Sequence, residues 1–403
     1  MASIVMVPPI QDQESRGFSA VTPPQDQSGH WQGMRTFVVD AKNKESETVT
    51  SFILVPEDGQ PLAAFKAGQF LSFQLDIPGH DKPVLRTYTI SSSPGAAGLD
   101  DGAHYRLSIK REPAPKGNPD VPPGLSSNFF HDHVDVGSTL RVGAPAGDFY
   151  LHDNRNGPVV LLSGGVGLTP MISMLDHLVD QLRRRPIWFI HGAQDGNEHA
   201  FGAHVRELAQ AHDNVTAHVV YAEAGPDDVE GRDFDATGFI TISMLERLLP
   251  GPICDFYLCG PPPFMKALFN ALLKWGVDEA RIHYEFFGPA TVLKEGGEPT
   301  EPAQDDKPNK APEAAAANGI MVTFRQSDIS VPWDSAKETI LDLAEANGMS
   351  PAFSCRGGVC QTCILNLIEG EIEYVVDGAF PPEEEGKVLI CSSAPKTDIV
   401  IDA

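Results

Sequence analysis

Between residues 34 and 151 the chain changes polarity in short bursts. The stretches "RTFVVDAKN" (35–43), "VTSFILVPED" (49–58), "GQFLSFQLD" (68–76), "LRTYTISS" (85–92) and "YRLSIKRE" (105–112) alternate apolar and polar positions, with turn residues between them. A period of two suits strands with one buried face. One helix-like segment, "SSNFFHDHV" (126–134), interrupts the series. The pattern predicts a small antiparallel barrel that ends near residues 147–151.

From residue 158 the pattern changes. "PVVLLSGG" (158–165) is a continuous apolar run, followed by apolar residues at helical spacing in "LTPMISMLDHLVDQL" (168–182). The strand candidates "PIWFIHGA", "VTAHVVYAE" and "CDFYLCG" then alternate with the helical segments "HAFGAHVRELAQA", "TISMLERLL" and "PPFMKALFNALLKWG". Apolar strands alternating with helices predict a buried parallel sheet of the doubly wound type.

Residues 291–318 are rich in Pro, Glu and Ala without hydrophobic periodicity, the pattern of a linker. Beyond them, "IMVTFRQ" and "ISVPW" read as strands and "TILDLAEANG" as a helix, followed by the cysteine loop and "VLICSSAPKTDIVID", an α+β unit. Residues 1–30 are polar, without a sustained period, and are expected to be disordered. The expected organisation is a lead-in (1–30), a barrel (31–153), an α/β domain (154–290), a linker (291–318) and a third domain (319–403).

Charge narrows the partners. With 55 Asp and Glu against 30 Lys and Arg, the formal charge is −25, which argues against nucleic acid and anionic membranes. A protein with a basic docking face fits better. No apolar run is long enough for a membrane span, and the N-terminus lacks the basic region of a signal peptide, so a cytoplasmic location is expected.

Four of the six cysteines fall near the C-terminus: Cys355, Cys360 and Cys363 in "CRGGVCQTC", then Cys391. This C-x4-C-x2-C spacing with a distant fourth cysteine is that of plant-type [2Fe-2S] sites. Gly357 and Gly358 let the backbone wrap closely around the sulfurs. A structural zinc site ordinarily uses two C-x2-C pairs, and a disulfide suits an oxidising compartment, so both fit less well. Residues 319–403 resemble the plant-type ferredoxin family over their full length, which implies an α+β β-grasp domain. They carry 14 acidic and 5 basic residues, which suits an electron-transfer face and is also ordinary for a solvated surface.

A second glycine cluster lies in "LLSGGVGLTPMISML" (161–175). Gly164, Gly165 and Gly167 between a strand and a helix suit the approach of a pyrophosphate to a helix N-terminus. Alone this is a weak signal, and it departs from the G-x-G-x-x-G fingerprint. Four further motifs accompany it in order: "LRTYTISS" (85–92), "GLSSNFFHDH" (124–133), "YLCGPPPFMKAL" (257–268) and "HYEFFGP" (283–289). Over residues 34–293 the five motifs together resemble the ferredoxin-NADP reductase superfamily, and in particular the reductase half of the flavohaemoglobins.

The resemblance implies roles. Arg86, Thr87, Tyr88 and Thr89 match its R-x-Y-[ST] motif: the arginine holds a flavin phosphate, the tyrosine packs on the flavin ring, and the Thr89 hydroxyl bonds to the N5 edge. Gly124 and Ser127 match a turn that receives the flavin phosphates. Gly164, Gly165, Gly167, Thr169 and Pro170 match the nicotinamide-nucleotide loop. Cys259, Gly260 and Pro261 match a turn that places a cysteine near the nicotinamide, and Glu285 and Phe287 match the segment closing over the flavin. Thr89, Cys259 and Glu285 are therefore the catalytic candidates. Taken singly, Tyr88 and Phe287 also suit core aromatics, Arg86 a surface ion pair and Cys259 a small buried residue; the joint order favours the functional reading. His131, His133 and His283 read as structural, and Cys254 as a buried residue outside the motifs.

The implied protein is a monomeric NADH-dependent reductase that passes electrons from NADH through a flavin to the cluster of Cys355, Cys360, Cys363 and Cys391. The flavohaemoglobin-like motifs favour FAD over FMN. The acidic "QDGNEH" (194–199), without a Ser-Arg pair to grip a 2′-phosphate, favours NADH over NADPH. With about 30 residues before the reductase in place of a globin, nitric oxide dioxygenation is not expected. The C-terminal ferredoxin gives the domain order of phthalate dioxygenase-type reductases, so the expected acceptor is the oxygenase subunit of a two-component monooxygenase or demethylase. The alternatives are another metalloprotein acceptor, such as a hybrid-cluster protein, and a redox-sensing binding module.

Overall fold

The computed structural model describes residues 31, 33–80, 83–97, 103–114, 122–152, 157–181, 184–287 and most of 320–403. The lead-in and the linker lie outside these residues, as do Cys355, Gly357 and Cys360.

The first sheet comprises β1 (Met34–Lys44), β2 (Val49–Pro56), β3 (Phe70–Leu75), β4 (Val84–Thr89), β5 (Tyr105–Lys110) and β6 (Thr139–Gly143), with helices α1 (Pro94–Ala97) and α2 (Leu125–His133). Its pairings are antiparallel, in the order β4-β3-β6-β1-β2-β5. A bridge from Ile90 to Leu107 joins the two ends of that order and closes the barrel. Alternation turns Phe37, Phe52, Phe73 and Leu107 inward, where Phe130 of α2 fills the barrel core.

The second sheet comprises β7 (Val159–Gly164), β8 (Ile187–Ala193), β9 (Val215–Tyr221), β10 (Ala236–Thr237), β11 (Asp255–Cys259) and β12 (Ile282–Glu285). It carries α3 (Leu168–Asp180), α4 (Gly202–Ala211), α5 (Ile242–Leu248) and α6 (Pro262–Trp275). All pairs are parallel, in the order β10-β9-β8-β7-β11-β12. The chain therefore winds outward on both sides of β7, and the topological switch point lies between β7 and β11. Every residue of β7 and β11 is buried, which explains why they read as continuous apolar runs. Helix α3 is buried from Leu168 through Leu175 because it lies between Val159 and Leu161 of the sheet and Ala67 and Phe149 on the barrel side.

The third unit holds β13 (Met321–Phe324), β14 (Ile329–Pro332), α7 (Ile340–Ala346), β15 (Ile364–Glu369), β16 (Ile372–Tyr374), β17 (Lys387–Leu389), β18 (Ser393–Pro395) and β19 (Ile399–Ile401). Five strands form a mixed sheet, β14-β13-β19-β15-β17, and β16 pairs with β18. Thr339 and Asp342 form a capping box that starts α7. Among the described residues no helix is long and apolar enough to cross a membrane.

Candidate functional site at the strand switch point

The carboxyl ends of β7 and β11 place the two glycine motifs side by side. Gly165 has φ +54, the left-handed region that favours glycine, and space stands open where its side chain would be. Gly167 is different. A Cβ there would lie 2.2 Å from the carbonyl oxygen of Cys259 and 2.8 Å from the amide nitrogen of Gly260. A Cβ on Gly260 would lie 3.1 Å from the amide nitrogen of Gly164. The loops thus pack backbone on backbone, and the N-terminus of α3 has no side-chain cap. Thr169 spends its hydroxyl on Val166 O (3.2 Å), Pro170 is buried, and Pro261 is the N-cap of α6. Gly167→Ala is expected to cost about 2–3 kcal/mol, because neither side of this contact can yield as a side chain does. Urea unfolding checks this, and an unchanged midpoint would contradict the packing argument.

Cys259 ends β11 and lies opposite Glu285 at the end of β12. The thiol is fully buried, which pushes its pKa well up, with the Glu285 charge adding to the effect. Burial and then the Asp148 carboxylate push the Glu285 carboxyl up to about 8. Its Oε2 is shielded from solvent and has no hydrogen-bond partner among the described residues. An orphaned buried carboxyl oxygen suits a group that meets something outside the chain. Phe287, 44% exposed, lies two residues further on.

On the barrel, β4 sets Arg86 and Tyr88 on one face and ends at the buried Thr89, with Thr87 between them. The Tyr88 ring meets Phe130 (5.1 Å between centroids) and Phe73 (5.9 Å) edge-on, and burial pushes its phenol pKa up. Arg86 is exposed, and its described hydrogen bond goes to its neighbour's carbonyl, Leu85 O (2.6 Å). The N-terminus of α2 also lacks a side-chain cap. A Cβ on Gly124 would lie 2.7 Å from Ser127 Oγ, which accepts from Glu112 N–H and donates to Gly124 O, both at 3.3 Å. Ser127 therefore shapes the turn. An exposed guanidinium, an aromatic ring and the N-terminal amides of α2 fit a phosphate-bearing ring cofactor. Barrel and sheet are joined where β4 runs on: Ser173 Oγ of α3 donates to Ser92 O at 2.8 Å, and Ser93 bonds the Asp180 carboxylate.

Of the clustered cysteines, Cys363 and Cys391 are described. Both are 2% exposed. The β15–β17 pairing brings their segments together, with Ile390 N–H donating to Cys363 O at 3.4 Å. Gly358 has φ +70, and a Cβ there would strike Ser392 Oγ at 2.6 Å. Two buried thiols with a tight glycine loop are a donor set suited to iron. Among the described residues no group of three or more His, Cys, Asp or Glu is placed to hold a metal ion, two of the four cysteines lying outside them.

The three histidines of the motifs have local partners: His131 Nε2 lies 2.9 Å from Ile109 O, His133 packs on Phe129, and His283 stacks on Tyr257. Cys254 is buried. No sequence motif includes Asp148, whose carboxylate folding brings near Glu285.

A doubly wound domain beside an antiparallel barrel, followed by a cysteine-bearing mixed sheet, defines a nucleotide-dependent oxidoreductase with an attached iron–sulfur domain. The oxidoreductase NAD-binding domain family matches residues 161–269, and the 2Fe-2S iron–sulfur cluster binding domain family matches residues 322–396. The chain is 37% identical to the flavohaem-like FAD/NAD-binding domain of nitric oxide dioxygenase from Vibrio cholerae, with a TM-score of 0.55, over 64% of this chain and 100% of that one. It is 42% identical over 265 residues to the flavohemoprotein of Halalkalibacterium halodurans, covering 66% of this chain and 62% of that protein. The chain thus spans less than two thirds of that relative's length. Phthalate dioxygenase reductase shares the fold across 92% of this chain and 98% of its own, at 22% identity and a TM-score of 0.52. The chain belongs to the ferredoxin-NADP reductase superfamily, with flavohaemoglobin-like reductase domains followed by a C-terminal [2Fe-2S] domain.

Proposed function

We propose that this chain is an NADH-dependent reductase that delivers electrons through FAD and a [2Fe-2S] cluster to the oxygenase component of a two-component monooxygenase or demethylase. The observation that carries the reading is the convergence of the glycine loops, Cys259 and Glu285 at the switch point of a sheet whose helix α3 is bonded to the continuation of β4. The domain content shared with phthalate dioxygenase reductase supports an oxygenase as acceptor.

When bound, a flavin takes two electrons from a nicotinamide and releases them singly, which matches a one-electron cluster to a two-electron donor. Arg86 and the N-terminus of α2 would hold its phosphates, Tyr88 and Phe287 would flank the ring, and Thr89 would meet its N5 edge. The loop from Gly164 to Pro170 would hold the pyrophosphate of NADH, with Gly260 and Pro261 shaping the nicotinamide pocket. Cys259 keeps its thiol proton because burial disfavours the thiolate. Glu285 keeps its proton up to about pH 8, so it would meet the nicotinamide as a neutral carboxyl. Cys355, Cys360, Cys363 and Cys391 would ligate the cluster.

Asp195, just beyond β8, accepts N–H bonds from Asn197 (2.9 Å) and Glu198 (3.1 Å), which fixes a carboxylate in the loop expected to face the adenosine ribose. A 2′-phosphate would meet that charge. NADH is expected to exceed NADPH about tenfold or more in kcat/KM for ferricyanide reduction. Turnover of the loaded chain with NADH and cytochrome c tests the whole reading; negligible turnover would sink it.

A further inference from the structure

We infer that Arg106 and Asp176 form a positioning pair that fixes the flavin-bearing strand β4 against the nucleotide loop, and so sets the geometry of hydride transfer. The inference rests on the proposed NADH-to-flavin reaction.

Arg106 belongs to β5 of the barrel, but its guanidinium works across the seam. Nη2 donates to Ser91 O at 2.5 Å and to Asp176 Oδ2 at 3.3 Å, and Nε donates to Ser91 Oγ at 3.3 Å. Ser91 lies two residues beyond Thr89, while Asp176 lies in α3, the helix that begins at the glycine loop. The other carboxylate oxygen, Oδ1, takes a hydrogen bond from His204 Nε2 of α4 at 2.6 Å. Asp176 is thereby held from both sides. The guanidinium carbon also stands 4.9 Å from the centre of the Phe201 ring. Phe201 caps α4 with φ +59, the one non-glycine residue of positive φ among the described residues. A buried phenylalanine in that region is a strained position, which persists only where its surroundings hold it.

A seam cavity of about 250 Å³ borders this network, lined by Ser92, Ser93, Asp176 and His204 among others. Ala67 and Phe149 pack on α3 elsewhere along the seam, but close packing does not fill it at this cavity, so polar contacts fix the approach of the two domains at this edge. The guanidinium is suited to the task because its planar fork bonds several partners at once, which an ammonium group cannot reproduce. A misplacement of about 1 Å at reacting atoms costs about a hundredfold in rate, so a remote pair can govern the chemistry without touching it.

The test compares Asp176→Asn, Arg106→Lys and the double variant with the wild type, each purified with bound flavin. Anaerobic stopped flow would follow flavin bleaching by saturating NADH, and a dithionite-prereduced sample would follow transfer to cytochrome c. Each single variant is expected to slow bleaching about tenfold or more with KM for NADH within about threefold, with flavin content and cytochrome c transfer unchanged. The double variant should be no slower than the slower single one, because both remove the same constraint. Wild-type bleaching rates in the flavin-loaded variants would overturn the inference, as would losses that simply add. Loss of flavin or of the folded state in both single variants would also overturn it, in favour of plain structural support. A wild-type chain that NADH fails to bleach would instead defeat the underlying reading, and is distinguished from these by its own trace.

Discussion

Cys391→Ser is expected to lower NADH-driven cytochrome c reduction about a hundredfold or more while ferricyanide reduction stays within about twofold of the wild-type rate. Ferricyanide can take electrons directly from a flavin, whereas cytochrome c would draw on the cluster. Cys391 and Cys363 lie in the core of the ferredoxin domain, at the joined ends of β15 and β17. A serine there offers a hard oxygen in place of a soft thiolate, and a binding site for iron is lost. The charge-transfer absorbance of the cluster should fall in parallel. An unchanged cytochrome c rate in a chain that has lost that absorbance would contradict the electron order proposed here.

Glu285→Ala is expected to slow NADH-driven ferricyanide reduction about a hundredfold, the scale of removing a positioned proton-bearing group from a reacting centre. Glu285→Gln separates charge from shape. The carboxyl has its pKa raised from 4.5 to about 8 in the fold, so the folded chain holds this proton more tightly than the unfolded one. The resulting stability is present in full below the unfolded value and is lost as pH rises through the folded one. A glutamine cannot ionise. The melting temperature of the wild type should therefore fall more steeply than that of Glu285→Gln between about pH 5 and pH 9, opening a gap of several degrees by the upper limit. The wild-type rate should decline as pH rises through about 8 and Glu285 ionises, whereas Glu285→Gln should retain most of its activity from about pH 6.5 to pH 9. Parallel melting curves would show that Glu285 is ionised in the fold.

The periodicity of the chain was a good guide to the strands with regular burial. β1 and β2 alternate over part of their length, and β7 and β11 are buried on both faces, so each carries the pattern its sheet imposes. β6 and β15 escaped notice: "TLRVG" is short and exposes two of its five side chains, and "ILNLIE" follows directly on the cysteine loop. The run 388–402 carried no single assignment: it supplies the end of β17 and all of β18 and β19, in two sheets, because pairing partners decide where a strand ends. Helix α4 begins three residues later than its apolar pattern, after the left-handed turn at Phe201, which no spacing rule reveals.

The candidate site was legible wherever chemistry needs residues close in sequence. The R-x-Y-[ST] stretch, the glycine loop and the cysteine loop are of that kind. Gly167 and Gly260 were legible as glycines but not for their packing reason, since the contact joins loops about 90 residues apart. The Arg106–Asp176 pair, separated by 70 residues, carries no local signature at all. Long-range pairings of this sort are properties of the fold.

Electrons from NADH are expected to reach the cluster only by way of the flavin. Electron paramagnetic resonance of the cluster tests it most directly, in one preparation stripped of flavin and then reconstituted with FAD. The account predicts that NADH leaves the cluster oxidised in the flavin-free chain and reduces it once FAD is restored, giving the signal of a reduced [2Fe-2S] centre. A reduced-cluster signal from NADH in the flavin-free chain, or none after reconstitution with an intact cluster, would contradict it.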